Sequence, residues 1–160
     1  EGQAALTKLA RGADVLIDIG EVKTAEERTE LVMSHTLKGD GADVVFECAG
    51  YLPAIPEGLG MVRKSGTFCE VGHFIDVGSF EFNPVTMLME RNLRVEAIYG
   101  SQAEHFKRAV PLMERGDLPL SDLVSHVLPL SRVKDGFEAL DGTYKLGSET
   151  VFKIAVGSEA

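Results

Sequence analysis

Hydrophobic and polar positions along the chain change period repeatedly. Short apolar runs recur at ADVLIDI (13–19), DVVFECAG (43–50), TFCEVG (67–72) and LRVEAIYG (93–100), each of strand length and bounded by turn residues. Between them the spacing turns helical. Thr24, Ala25, Glu26 and Glu27 form a capping box, in which hydroxyl and carboxylate satisfy each other's orphan amides, and a helix is predicted over 24–38. Leu52, Ile55, Leu59 and Val62 keep one face of a second helix apolar, with Pro53 and Pro56 tolerable only near its first turn. SFEF (79–82) reads as a further extended piece and NPVTMLMER (83–91) as a short helix. The opening residues, EGQAALTKLARG, read at once as a helix with Leu6 and Leu9 on one face and Gly12 as its cap, so the chain reads as starting inside an element. Beyond residue 100, Ser101 to Glu104 offers a second capping box for a helix ending near Arg115 and Gly116, with a kink or broken start at Pro111. LVSHVLPL (123–130) and SETVFKIAV (148–156) look extended, and 131–140 looks helical with Val133, Phe137 and Leu140 on one side.

The alternation of strands near Val15, Val44, Phe68 and Val95 with helical segments argues for an α/β fold, a parallel sheet with helices on both faces. Three of these strands end alike, at Gly50, Gly72 and Gly100. In open α/β sheets the ligand lies beyond the carboxyl ends of the strands, where glycine lets backbone approach closely. Each glycine alone is better explained by a tight strand-to-helix turn. Repetition at three successive strand ends points to a crevice.

Composition narrows the function classes. The 160 residues are 44% hydrophobic, enough for one globular domain with a core. A net charge of -9 with no cluster of Lys and Arg excludes a phosphate-neutralising surface, and with it nucleic acid as a natural partner. No apolar run approaches the roughly 20 residues of a membrane helix, and the chain reads as soluble and cytoplasmic. Cys48 and Cys69 lie in separate strands without CxxC spacing and are expected to be reduced, buried thiols. His35, His73, His105 and His126 are scattered, and no metal site can be assembled from their spacing.

At DVVFECAG, GTFCEVG, the FNP of residues 82–84, LRVEAIYG and SHVLPL, the chain resembles the C-terminal part of the zinc-dependent medium-chain dehydrogenases, the alcohol and polyol dehydrogenase family. The order and spacing of these blocks carry the likeness over nearly the whole length. The resemblance implies a partial Rossmann-type parallel sheet with flanking helices, divided into residues 1–100 as the later portion of a dinucleotide-binding domain and 101–160 as a segment returning toward a catalytic domain. It also implies that the phosphate-binding loop, the catalytic zinc ligands and the proton relay lie upstream of Glu1, so that this chain is either a fragment or a remnant domain that cannot carry out the reaction alone.

Residue by residue, the family pattern places Cys48, Ala49 and Gly50 beside the riboses of NAD or NADP. It places Val71, Gly72, Ile98 and Tyr99 around the nicotinamide carboxamide. Lys153, or Lys145 in its stead, matches a basic position near the pyrophosphate; a solvated strand residue is an equal reading of Lys153. The lip residues would position the ring by backbone groups rather than by proton chemistry. Glu47 and Glu70 stand at matching strand ends, where paired carboxylates can do acid–base work, but in this family such glutamates are more often structural. His73 would face the nicotinamide end or sit as a plain loop histidine. Cys48 has no neighbouring base to make it a nucleophile. In the isolated segment Leu118, Leu120, Leu128 and Phe152 are expected to leave apolar surface exposed. The edge strand over 93–98, helped by SFEF, is expected to pair with a second copy to form a homodimer.

The implied function is hydride transfer from a small alcohol or polyol to nicotinamide in a zinc-assisted parent enzyme. The competing readings are a zinc-free quinone reductase of the same superfamily and a nucleotide-binding or interaction module without catalysis. An unrelated doubly wound domain such as a methyltransferase would need a glycine-rich loop that this sequence lacks.

Overall fold

In the computed structural model, residues 13–117, 120–148 and 150–158 are described. The helix expected over residues 1–12, and Leu118, lie outside them. The chain divides into two compact units, Ile17–Ser101 and Gln102–Ala160, the second also taking in residues 13–16 among the described ones.

The first unit is built around a three-stranded parallel sheet in the order β1 (Ala42–Glu47), β2 (Val62–Glu70) and β3 (Arg94–Ala97). Helix α1 (Ala25–Ser34) starts as the capping box requires: the Glu27 N–H donates to Thr24 Oγ1 at 3.1 Å and the Thr24 N–H donates to Glu27 Oε2 at 3.3 Å. It ends four residues earlier than its pattern suggested, because a tight 3₁₀ turn over Leu37–Gly39 redirects the chain into β1. Helix α2 (Ala54–Met61) connects β1 to β2, which is the crossover a parallel pair demands. A bidentate fork from Arg28 to Glu57, at 2.6 and 2.7 Å, ties α1 to α2, and the same guanidinium donates to the Val22 and Lys23 carbonyls. The short helix α3 (Pro84–Met87) is capped by Asn83, whose side chain accepts from the Val85 N–H. Arg91 then donates to the Gly60 and Val62 carbonyls, satisfying backbone at the α2–β2 junction.

Alternation along the strands sets the core. Val45 and Phe68 are register partners on the same face, where Leu59, Val62 and Phe68 are buried together with Ile55, Met87, Leu88 and Leu93 packed around them. Val44 and Phe46, one residue out of phase, remain exposed. The ladder of β2 is regular only from Thr67. Ala42 faces Val62 but Val44 faces Thr67, so residues 63–66 bulge out of the pairing, with Ser65 at φ +60°.

Two expected strands are absent among the described residues. ADVLIDI is irregular, with Val15, Leu16 and Ile19 exposed. Its residues have strand propensity, but it pairs with none of the described strands, and an extended segment without ladder partners gains little. SFEF is likewise irregular; its Phe80 and Phe82 rings pack edge to face with each other, centroids 6.2 Å apart.

The second unit holds α4 (Ala103–Glu114), then β4 (His126–Pro129) paired in parallel with β5 (Ile154–Gly157), with α5 (Val133–Leu140) between them in sequence. Leu128, Ala139 and Leu146 are its buried core, flanked by Val151 and Ile154. Leu128, expected to be exposed, is therefore buried: the β4–β5 pairing and α5 cover it. Phe152 remains exposed. Helix α4 begins one residue later than its sequence suggested, so the residue three beyond the cap is His105, whose Nδ1 accepts from the Gln102 N–H at 3.0 Å. Glu104 is left to pair with Lys107 instead. Among the described residues no helix is long and apolar enough to cross a membrane.

Candidate functional site

Parallel pairing in register places Glu47 beside Glu70 and Glu70 beside Ala97. All three strands of the first sheet therefore run out at one edge. The next residues continue the ladder for one step: the Val71 N–H donates to the Glu47 carbonyl and the Ile98 N–H to the Glu70 carbonyl, both at 3.0 Å. Seven of the eight residues expected at the crevice, Cys48, Ala49, Gly50, Val71, Gly72, Ile98 and Tyr99, follow these three ends directly. Lys153 belongs to the second unit, where its carbonyl accepts from the Ser125 N–H on the approach to β5.

The first two of these strand ends meet through glycine. Gly50 sits at φ +64°, and a Cβ on it would lie 2.6 Å from the Gly72 carbonyl oxygen. A Cβ on Gly72 would overlap the Gly50 nitrogen and Glu47 Oε2. The approach is backbone on backbone, which no side chain at either position would permit. Cys48, expected to be buried, is exposed because it stands just beyond the last residue of β1; Cys69, inside β2, is buried, and both thiols are free.

Beneath this contact lies Glu47, only 4% exposed and the one buried charged side chain among the described residues. Its Oε1 accepts from the Ala49 N–H at 2.8 Å and the Gly50 N–H at 2.9 Å. Its Oε2 lies 3.4 Å from His73 Nδ1, and the same nitrogen is 2.9 Å from Glu70 Oε1. Glu70 Oε1 also accepts the His73 backbone N–H at 3.2 Å. With a carboxylate on each side, His73 Nδ1 serves as the donor, which assigns its proton from the network. Burial pushes the Glu70 carboxyl up, but the hydrogen bonds from the His73 ring and backbone, the electrostatic attraction of that ring and the neighbouring Glu47 carboxyl together hold it below the ordinary carboxylate range. The sequence marked Glu47 and Glu70 as matched strand-end carboxylates; the structure adds that His73, three residues after Glu70, joins them.

Open space flanks the strand ends. A hollow of about 620 Å³ is lined by residues that include Phe46, Cys48, Ala49, Ile19 and Arg28. A second, of about 700 Å³, opens beside Gly50 and Tyr51 against Leu52 and Phe80.

A family profile described as zinc-binding dehydrogenase matches residues 1–115. The chain belongs to the zinc-binding dehydrogenase family. It is 29% identical over 127 residues to the erythritol/L-threitol dehydrogenase of Mycolicibacterium smegmatis, covering 79% of this chain and 33% of that protein. Among solved structures it matches an alcohol dehydrogenase from Thermotoga maritima with a TM-score of 0.82 and 28% identity, over 96% of this chain and 40% of that one. A zinc-binding dehydrogenase from Sinorhizobium meliloti bound to NADP matches with a TM-score of 0.69 and 23% identity, over 91% and 39% respectively. The chain thus spans about a third of the length of the curated relative and two-fifths of those structures. These matches confirm the α/β, Rossmann-like character expected from the sequence.

Glu47, Glu70 and His73 are the one group of three potential ligands close enough to share an ion among the described residues, with donor atoms within 4.8 Å of one another. A catalytic zinc needs a position open to substrate. Here the Glu47 side chain is 2% exposed, and one oxygen of each glutamate already accepts backbone N–H groups. Glu47 Oε2, Glu70 Oε2 and His73 Nε2 are left without hydrogen-bond partners, but they too are buried. The cluster does not fit a substrate-accessible catalytic zinc.

Two outcomes follow from this geometry. Gly72→Ala is expected to lower stability by about 1–3 kcal/mol, because the atoms its Cβ meets are backbone and a buried carboxylate that cannot swing aside; urea unfolding measures it, and a change near zero would contradict the close contact. Because the Glu70 value is depressed in the folded state, the stability it contributes is complete above the ordinary carboxylate range and is lost as pH falls through the depressed range. Glu70→Gln should therefore flatten the fall in melting temperature between about pH 6 and about pH 3; an unchanged slope would show that the carboxylate is not held by His73.

Proposed function

We propose that the three strand ends form the nicotinamide-side lip of a site for NAD or NADP, and that the chain supplies this half-site within a longer alcohol or polyol dehydrogenase. The observation that carries the reading is the register itself: three parallel ends, the first two joined by the Gly50–Gly72 contact, present backbone at the edge where α/β sheets take their ligands. Cys48, Ala49 and Gly50 would line the riboses, and Val71, Gly72, Ile98 and Tyr99 the carboxamide end. Their task is orientation, holding one face of the ring toward the alcohol carbon that gives up hydride. Zinc, when bound in such an enzyme, polarises the alcohol oxygen; its ligands are proposed to lie outside the described residues. Lys153 is proposed as a pyrophosphate contact. The two free thiols accord with a reducing, cytoplasmic setting.

Heteronuclear NMR titration of the chain with NAD and NADP to millimolar concentration tests this. The expected result is weak binding with shifts concentrated at residues 48–50, 71–72 and 98–99. Shifts elsewhere, or none, would reject the lip. Tight binding would instead reject the half-site, since the phosphate-binding elements that dominate dinucleotide affinity are not among these residues.

A homodimer is proposed through β3, the outer strand of the sheet among the described residues, whose four residues are all exposed. SFEF does not extend that edge. Gel filtration at micromolar concentration should return the dimer mass; a monomer would count against pairing there.

A further inference from the structure

We infer that Glu47 is a positioning residue for the cofactor lip, acting as a strut that fixes the backbone of Ala49 and Gly50 and reaches beneath the opposing lip toward His73. The inference rests on the cofactor reading above. It goes beyond that reading by assigning the geometry of the lip to a side chain that would never touch the cofactor.

Four observations converge on this residue. Glu47 is the last residue of β1, so its Cα is fixed by the ladder to Glu70. Its side chain is buried rather than turned outward, and Oε1 collects the N–H groups of Ala49 and Gly50. Those two bonds hold the turn in which Gly50 reaches φ +64°. Oε2 fills the space a side chain on Gly72 would need and stands 3.4 Å from His73 Nδ1, which in turn meets Glu70 at 2.9 Å. One carboxylate thus spans the gap between the ends of β1 and β2.

A hydrogen bond to a charged acceptor is stronger than one between neutral groups, and a buried donor left unpaired is costly. Removing Glu47 would free two N–H groups at the point where the lip must hold still. Lip residues that present backbone to a ligand depend on such support more than residues that present side chains, because an amide cannot re-aim without moving the chain.

Glu47→Ala and Glu47→Gln, made in the full chain, separate positioning from bulk stability. Glu47→Ala is expected to raise the dissociation constant for the bound dinucleotide about tenfold, and to speed amide exchange at Ala49 and Gly50 while exchange in β2 stays as it was. Glu47→Gln keeps an oxygen that can accept the same two N–H groups and is expected to stay within about threefold of wild type. If Glu47→Ala does not fold, Glu47→Asp is read instead: it keeps the charge, withdraws the oxygen by one methylene, and should show the same selective loss. Unaltered exchange at Ala49 and Gly50, or wild-type affinity in the folded variant, would overturn the strut. A wild-type chain that binds neither dinucleotide would overturn the cofactor reading instead, while the exchange measurement would still decide whether Glu47 holds the lip.

Discussion

Parallel pairing of β1, β2 and β3 is the constraint from which the rest follows. A parallel ladder delivers every strand's carboxyl end to the same edge. Here the register aligns Glu47 with Glu70 and Glu70 with Ala97. Small residues and glycines that are far apart in the chain become neighbours only through that alignment. Helix α2 makes the β1–β2 pairing possible as a crossover and buries Leu59 against Phe68 and Val62 in doing so. The same helix thus closes the core and sets the strand ends side by side.

Glycine and glutamate divide the work at that edge. Gly50 and Gly72 allow two backbones to approach within a distance that any side chain would obstruct. Close approach by itself leaves N–H groups without partners, and the Glu47 carboxylate takes up two of them from below. Burying a carboxyl group carries a desolvation penalty, which the two backbone donors offset. A carboxylate in this position therefore reads as architecture for the lip rather than as an acid or base.

Membership in the zinc-binding dehydrogenases fits this division. The family profile covers residues 1–115, and the chain aligns with only part of each relative's length. The half-site proposed above would orient a ring by backbone groups and would require no proton-transfer residue of its own. Cys48 stands exposed at the lip, while Glu47, Glu70 and His73 are gathered in the buried layer below it.

Much of this was legible in sequence. The capping box at Thr24, the strands at Val44, Phe68 and Val95, and the three glycine-ended strand termini follow from local pattern, because caps, period and turn residues act over a few positions. So did the family, whose blocks keep their order and spacing. Other features depended on tertiary structure. ADVLIDI and SFEF have strand propensity but stand outside the described sheets, since a strand exists only where another lies beside it. Leu128 looked exposed until β5 and α5 covered it. Glu47 and Glu70 were visible as a matched pair, but that His73 meets both, and that the Glu47 carboxylate lies beneath Ala49 and Gly50, is decided by strand register and by the close backbone contact. Those depend on residues more than 20 positions apart in sequence, which no local pattern encodes.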